Sequence, residues 1–172
     1  MRTDDGEYLY EPKNEGFITC LIRSQMTTIV DGSLILPNVW LGNIATVKHY
    51  RGLIDHGFTH VISALSYEQL SNYKIMMPDE LQWYIIPDNF YSYFDKVIAI
   101  IDDASDGKVM IHCADGFSVG PVLIIAYIMW KLRICTADAI AYFARQYSMG
   151  NNLSAHAHNS LMEFEAKLFW RV

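Results

Sequence analysis

Nine consecutive residues, His112-Cys113-Ala114-Asp115-Gly116-Phe117-Ser118-Val119-Gly120, carry the residue types and spacing from which chemistry can be argued. An apolar run, Lys108-Val109-Met110-Ile111-His112, leads into them, and a second apolar run begins at Pro121. A loop that closes a buried strand and opens a helix aims backbone N–H groups and the positive end of the helix dipole at one point, forming an anion cradle. A cysteine at the start of such a loop is the usual place for a stabilised thiolate nucleophile. Gly116 permits the backbone to turn, and Pro121 suits a first helical turn, where its missing N–H would be unpaired anyway. The competing reading makes Cys113 a small buried apolar residue, the commoner fate of a cysteine. The strand before it, the glycine three residues on and the apolar helix behind favour the loop.

The elements that must position this loop read as an α/β chain. A turn at Asp31-Gly32 leads to Leu34-Ile35 and Val39-Trp40-Leu41-Gly42, apolar runs separated by Pro37-Asn38, which predicts a hairpin. Ala45 to His56 has helical spacing and stops at Gly57. Phe58 to Ser63, Gln82 to Ile86 and Lys108 to His112 read as strands. Tyr91 to Ala104 places Phe94, Val97, Ile98 and Ile101 on one helical face. Further helices are predicted from Pro121 to about Arg133, from a Thr136 cap through Ala144, and from about Ser154 to Trp170. Strands alternating with helices imply a central, mainly parallel sheet flanked by helices on both faces. Residues 1–27, with Asp4, Asp5, Glu7, Glu11 and Glu15, read as an N-terminal extension, and residues 28–172 as one domain.

Composition bounds the function. With 172 residues, 52% of them hydrophobic and 19% charged, the chain can bury one core without disulfides or metals. A net charge of -6 argues against a nucleic-acid backbone or an anionic membrane as partner. The first twenty residues lack the apolar run of a signal peptide, and Pro121 to Trp130 is too short to span a bilayer. Cys20, Cys113 and Cys135 are odd in number and lack paired spacing, which favours a reducing compartment, cytoplasmic and/or nuclear. No cofactor is expected. No Cys/His cluster has zinc spacing, and His156 and His158 point apart on a helix, so no metal site is expected either.

The loop resembles the signature of the dual-specificity branch of the protein tyrosine phosphatases: His-Cys, five residues, then Arg and Ser/Thr. The resemblance extends from about residue 33 to the C-terminus. Leu36-Pro37-Asn38-Val39-Trp40-Leu41-Gly42-Asn43 resembles the family's opening segment, and His56-Gly57-Phe58-Thr59-His60-Val61-Ile62 its "G-I-T-H-V" strand. Ala126-Tyr127-Ile128-Met129, Ala137-Asp138-Ala139 and Leu161-Met162-Glu163-Phe164-Glu165 follow in the family's order. The resemblance implies that family's fold, with Cys113 as nucleophile and Asp88, in Ile86-Pro87-Asp88-Asn89, as general acid. Asp88 lies 25 residues before Cys113, a shorter separation than the family's, and a turn or helix-capping role fits it equally.

The departures from the signature redirect that expectation. Five residues on from Cys113 is Ser118, so Val119 stands at the arginine position and Gly120 at the Ser/Thr position. A bidentate guanidinium has no aliphatic substitute, and losing one preorganised donor costs on the order of 3–4 kcal/mol of transition-state stabilisation. Asp115 adds a carboxylate to a pocket meant for an anion. These changes make Cys113 and Asp88 vestigial and predict a pseudophosphatase, similar in kind to the phospho-Ser/Thr/Tyr-interacting group. Its degenerate loop, 112–120, is expected to bind anions weakly at most. That group loses the cysteine and keeps the arginine; this chain does the reverse. The expected partners are other proteins, with phosphoproteins, kinases and phosphatases as candidates. A slow Cys113-dependent phosphatase recruiting Arg145 or Arg133, and a redox or acyl-accepting role for Cys113, are the alternatives.

Overall fold

Five strands form one sheet in the order β1-β2-β5-β3-β4, in a computed structural model that describes residues 32–87, 89–104, 106–147 and 153–170. The strands are β1 (Gly32–Leu36), β2 (Val39–Gly42), β3 (Phe58–Ser63), β4 (Gln82–Ile85) and β5 (Lys108–His112). β1 and β2 form the expected antiparallel hairpin, and β2, β5, β3 and β4 run parallel. β5 is central, hydrogen-bonded to β2 on one side and β3 on the other. Its Val109, Met110, Ile111 and His112 are all buried, the continuous burial of a strand covered on both faces.

Helices cover both faces, as the alternation of elements implies. They are α1 (Ile44–Lys48), α2 (Tyr50–Asp55), α3 (Tyr67–Asn72), α4 (Phe94–Asp103), α5 (Val119–Leu132), α6 (Thr136–Gln146) and α7 (Ala155–Phe169). The larger cluster gathers residues of α4, α5, α6 and α7 over Val39, Leu41, Ile62, Val109 and Ile111. The smaller packs Val47 of α1 and Leu53 of α2 against Trp40, Val61 and Met110. In α5 every residue from Gly120 to Met129 is buried, so this apolar helix runs through the core. Among the described residues no single helix is long and apolar enough to cross a membrane.

Several boundaries differ from the sequence reading. The expected helix over 45–56 is two helices, α1 and α2, divided at His49, whose ψ of 44° leaves the helical region. Gly57, at φ +76°, ends the second as expected. The helix expected from Tyr91 opens as a 3-10 turn, Phe90–Tyr93, before α4. α5 begins at Val119, two residues before Pro121, which still falls where an N–H has no intrahelical partner. Thr136 is not a cap but the first helical residue of α6, with Cys135 at the cap position. α6 runs on past Ala144 to Gln146, and Ser154 caps α7 through a hydrogen bond from Ala157 N–H. The extension 1–27, including Cys20, lies outside the described residues.

Candidate functional site

The loop from His112 to Gly120 leaves the carboxyl end of β5 and enters α5, the edge of an open α/β sheet where ligands bind. It is fastened from both neighbouring strands. Ile44 N–H donates to Ala114 O at 3.3 Å from the segment after β2, and Ala64 N–H donates to His112 O at 2.8 Å from the end of β3. Gly116, at φ +82°, makes the left-handed turn that a side chain would strain. Asn43 holds α1 alongside with a capping box: its Oδ1 accepts from Ala45 and Thr46 N–H, and Thr46 Oγ1 accepts from Asn43 N–H.

His112 is fully buried and forms a network that the sequence does not reveal. Its Nε2 lies 2.6 Å from Ser63 Oγ, which also accepts from Trp83 Nε1–H at 2.6 Å. Which of the two atoms donates in the His112–Ser63 bond follows from the imidazole tautomer, and the serine oxygen can serve in either role. Nδ1 has no partner in hydrogen-bond geometry. Burial lowers the His112 pKa to about 4, with the Cys113 backbone offsetting this only in part. The ring beside the cysteine is therefore neutral at physiological pH and brings no positive charge to the loop.

Cys113 is 1% exposed, and its Sγ donates to Asp115 Oδ1 at 3.3 Å. The same oxygen accepts from Phe117 N–H at 2.8 Å, Ser118 N–H at 3.1 Å and Ser118 Oγ at 3.1 Å. Four donors converge on one carboxylate oxygen. Desolvation pushes the Asp115 pKa up, but the Phe117, Cys113 and Ser118 hydrogen bonds outweigh it and leave it below the ordinary carboxylate value. The carboxylate is thus charged at neutral pH, and among the described residues no lysine or arginine pairs with it. Two of the loop's backbone N–H groups, those of Phe117 and Ser118, are therefore taken by the protein's own carboxylate.

The two departed signature positions are fitted to their surroundings. Val119 packs against the larger core cluster. A Cβ at Gly120 would lie 2.7 Å from Leu41 Cδ1 and 3.5 Å from Cys113 Sγ, so a hydroxylated residue there would require Leu41 to move. Phe117 is 45% exposed on the rim and stacks on Tyr147, with ring centroids 6.3 Å apart. Asp88, the general acid implied by the resemblance, lies outside the described residues.

Neither alternative arginine engages the loop. Arg133 is the C-cap of α5, at the far end of a helix about 20 Å long. The Arg145 guanidinium sits 5.8 Å over the Tyr142 ring. Tyr91, with no role fixed by the sequence, is half-buried against the core and packs edge-on against His156 at 4.3 Å. Trp170 is 73% exposed.

Comparison with known proteins matches this architecture. A Dictyostelium discoideum protein named "probable dual specificity protein phosphatase" is 36% identical over 112 residues, 63% of this chain and 28% of its own length. Dual specificity protein phosphatase 1 of Arabidopsis thaliana is 26% identical over 118 residues, 64% of this chain and 57% of its own length. The match thus spans between about a quarter and somewhat over half of these two relatives. The solved structure of the human tyrosine phosphatase-like serine/threonine/tyrosine-interacting protein superposes with a TM-score of 0.68 at 25% identity, covering 79% of this chain and 96% of that one. The family model for the dual specificity phosphatase catalytic domain matches residues 39–167, well over half of the sequence, and the chain belongs to that family.

Proposed function

We propose that this chain is a non-catalytic member of its family, a pseudophosphatase that acts as a protein-interaction or regulatory module. The observation that carries this reading is the convergence of Cys113, Phe117 and Ser118 on the Asp115 carboxylate, in a loop with Val119 at the arginine position. Phosphoryl transfer needs positive charge aimed at the equatorial oxygens, and the loop instead holds a fixed negative one. The Cys113 sulfur faces the Asp115 carboxylate at 3.3 Å, where a nucleophile of this kind needs positive charge beside it. The human neighbour is itself named an interacting protein, which agrees with this reading. Partner proteins, with phosphoproteins, kinases and phosphatases as candidates, and a cytoplasmic or nuclear location belong to the same proposal.

Turnover of an aryl phosphate tests it. The wild-type chain and Cys113→Ser are expected to hydrolyse the ester at the same rate, with an active family member as positive control. A wild-type rate above that background would overturn the proposal. One observation favours the slow-phosphatase alternative: the Phe117–Tyr147 stack brings the C-terminal end of α6, which carries Arg145, beside the loop. On that reading the excess rate would disappear in Arg145→Ala.

A further inference from the structure

We infer that Asp115 is an internal ligand that occupies the oxyanion-binding donors of the loop, so that this side chain adds to the lost arginine in excluding phosphate. The inference rests on the non-catalytic reading above and names the residue that enforces it at the level of binding.

Three observations carry it. First, the loop is held by contacts that do not involve Asp115. Ile44 N–H on Ala114 O and Ala64 N–H on His112 O fasten its first half, and the buried His112–Ser63–Trp83 network anchors its root. The left-handed turn at Gly116 brings the backbone close to Gly42 O, to which an added Cβ would lie at 3.4 Å. Removing the carboxylate therefore leaves these supports in place. Second, the groups it engages are those an oxyanion would use: two successive backbone N–H groups, a hydroxyl and the thiol at the head of the loop, all meeting at Oδ1. Third, the carboxylate is exposed on its other side and has no basic partner among the described residues, so its fixed charge faces any arriving anion. A carboxylate tethered two residues from the donors has an effective concentration that a free phosphate at cellular levels does not match. Competition for the same donors and direct repulsion act in the same direction.

Binding of sodium tungstate, a tetrahedral oxyanion, tests the inference by titration calorimetry on the full chain. Asp115→Ala frees all four donors and removes the charge, and it is expected to bind tungstate at least about tenfold more tightly than wild type. Asp115→Asn keeps an acceptor for the Phe117 and Ser118 N–H groups but loses the charge. It preserves the loop if the alanine variant does not fold, and its affinity is expected to fall between the other two. Folding of each variant is checked by circular dichroism. Equal tungstate affinity in wild type and every folded variant would overturn the inference while leaving the non-catalytic reading intact. Phosphatase turnover by the wild type would overturn that reading whatever the tungstate affinities, so the two failures are distinguishable.

Discussion

At the scale of single residues, His112 and Asp115 set the electrostatics of the loop between β5 and α5. The buried His112 ring is held neutral, with its pKa lowered to about 4 by burial. In the unfolded chain a histidine titrates near pH 6.5, so between these values the unfolded state binds a proton that the native state refuses. The stability this contributes is complete above about pH 6.5 and is lost as pH falls toward about 4. The expected loss between about pH 7 and about pH 4.5 is about 2–3 kcal/mol, read from urea unfolding at the two pH values. His60, whose pKa burial also lowers, adds to the same slope. Asp115 and Glu165, held below their ordinary values, lose their contribution only at lower pH. His112→Asn should flatten the slope; an unchanged slope in that variant would refute the assignment. The loop was legible in the sequence because cysteine, glycine and proline sit at spacings that local backbone physics interprets. The partner of His112 was not legible, because Ser63 lies 49 positions away and meets it only through strand pairing.

At the scale of elements, strands were easier to read than helices. β3 and β5 occupy Phe58–Ser63 and Lys108–His112 as the apolar runs predict, because a strand buried on both faces needs little besides continuous apolarity. The single helix expected over 45–56 fails because α1 and α2 present Val47 and Leu53 to the same cluster, so the periodicity continues across the break at His49. α3 buries only Leu70 and has no stripe to detect; its one signal was the Ser66–Gln69 capping box. At α6 the cap comes from another helix. Cys135 makes no side-chain cap bond, and Thr136 N–H instead donates to Glu165 Oε2 of α7 at 2.6 Å, across 29 positions of sequence. That contact satisfies an orphan helix donor and lowers the Glu165 pKa through bonds from the Thr136 side chain and backbone. Glu165→Ala is expected to lower stability by about 1 kcal/mol, with Glu165→Gln losing less because its amide oxygen can still accept. Denaturant midpoints of the three proteins check this, and an alanine variant as stable as wild type would remove Glu165 as the cap.

At the scale of the whole molecule, the sheet joins two cores of unequal size through alternate residues of the same strands. On β5, Met110 faces the smaller cluster while Val109 and Ile111 face the larger; on β3, Val61 and Ile62 divide in the same way. Neither face can be released without disturbing the pleat that orders the other, so the molecule should unfold as one unit despite its two-sided core. The faces can be observed separately. Trp40 lies in the smaller cluster and Trp83 packs against it, whereas Trp130 packs on the larger. In a Trp130→Phe, Trp170→Phe background, fluorescence therefore reports the smaller face and far-UV circular dichroism, dominated by α4 to α7, the larger. Leu53→Ala on the smaller face and Ile125→Ala on the larger remove fully buried side chains and should each cost about 2–5 kcal/mol. In both variants the fluorescence and dichroism midpoints should shift together. Tryptophan fluorescence lost at lower urea than dichroism in Leu53→Ala would show instead that α1 and α2 detach first. The loop at 112–120, fastened to the segments after both β2 and β3, would then lose one of its two supports before the rest of the fold gives way.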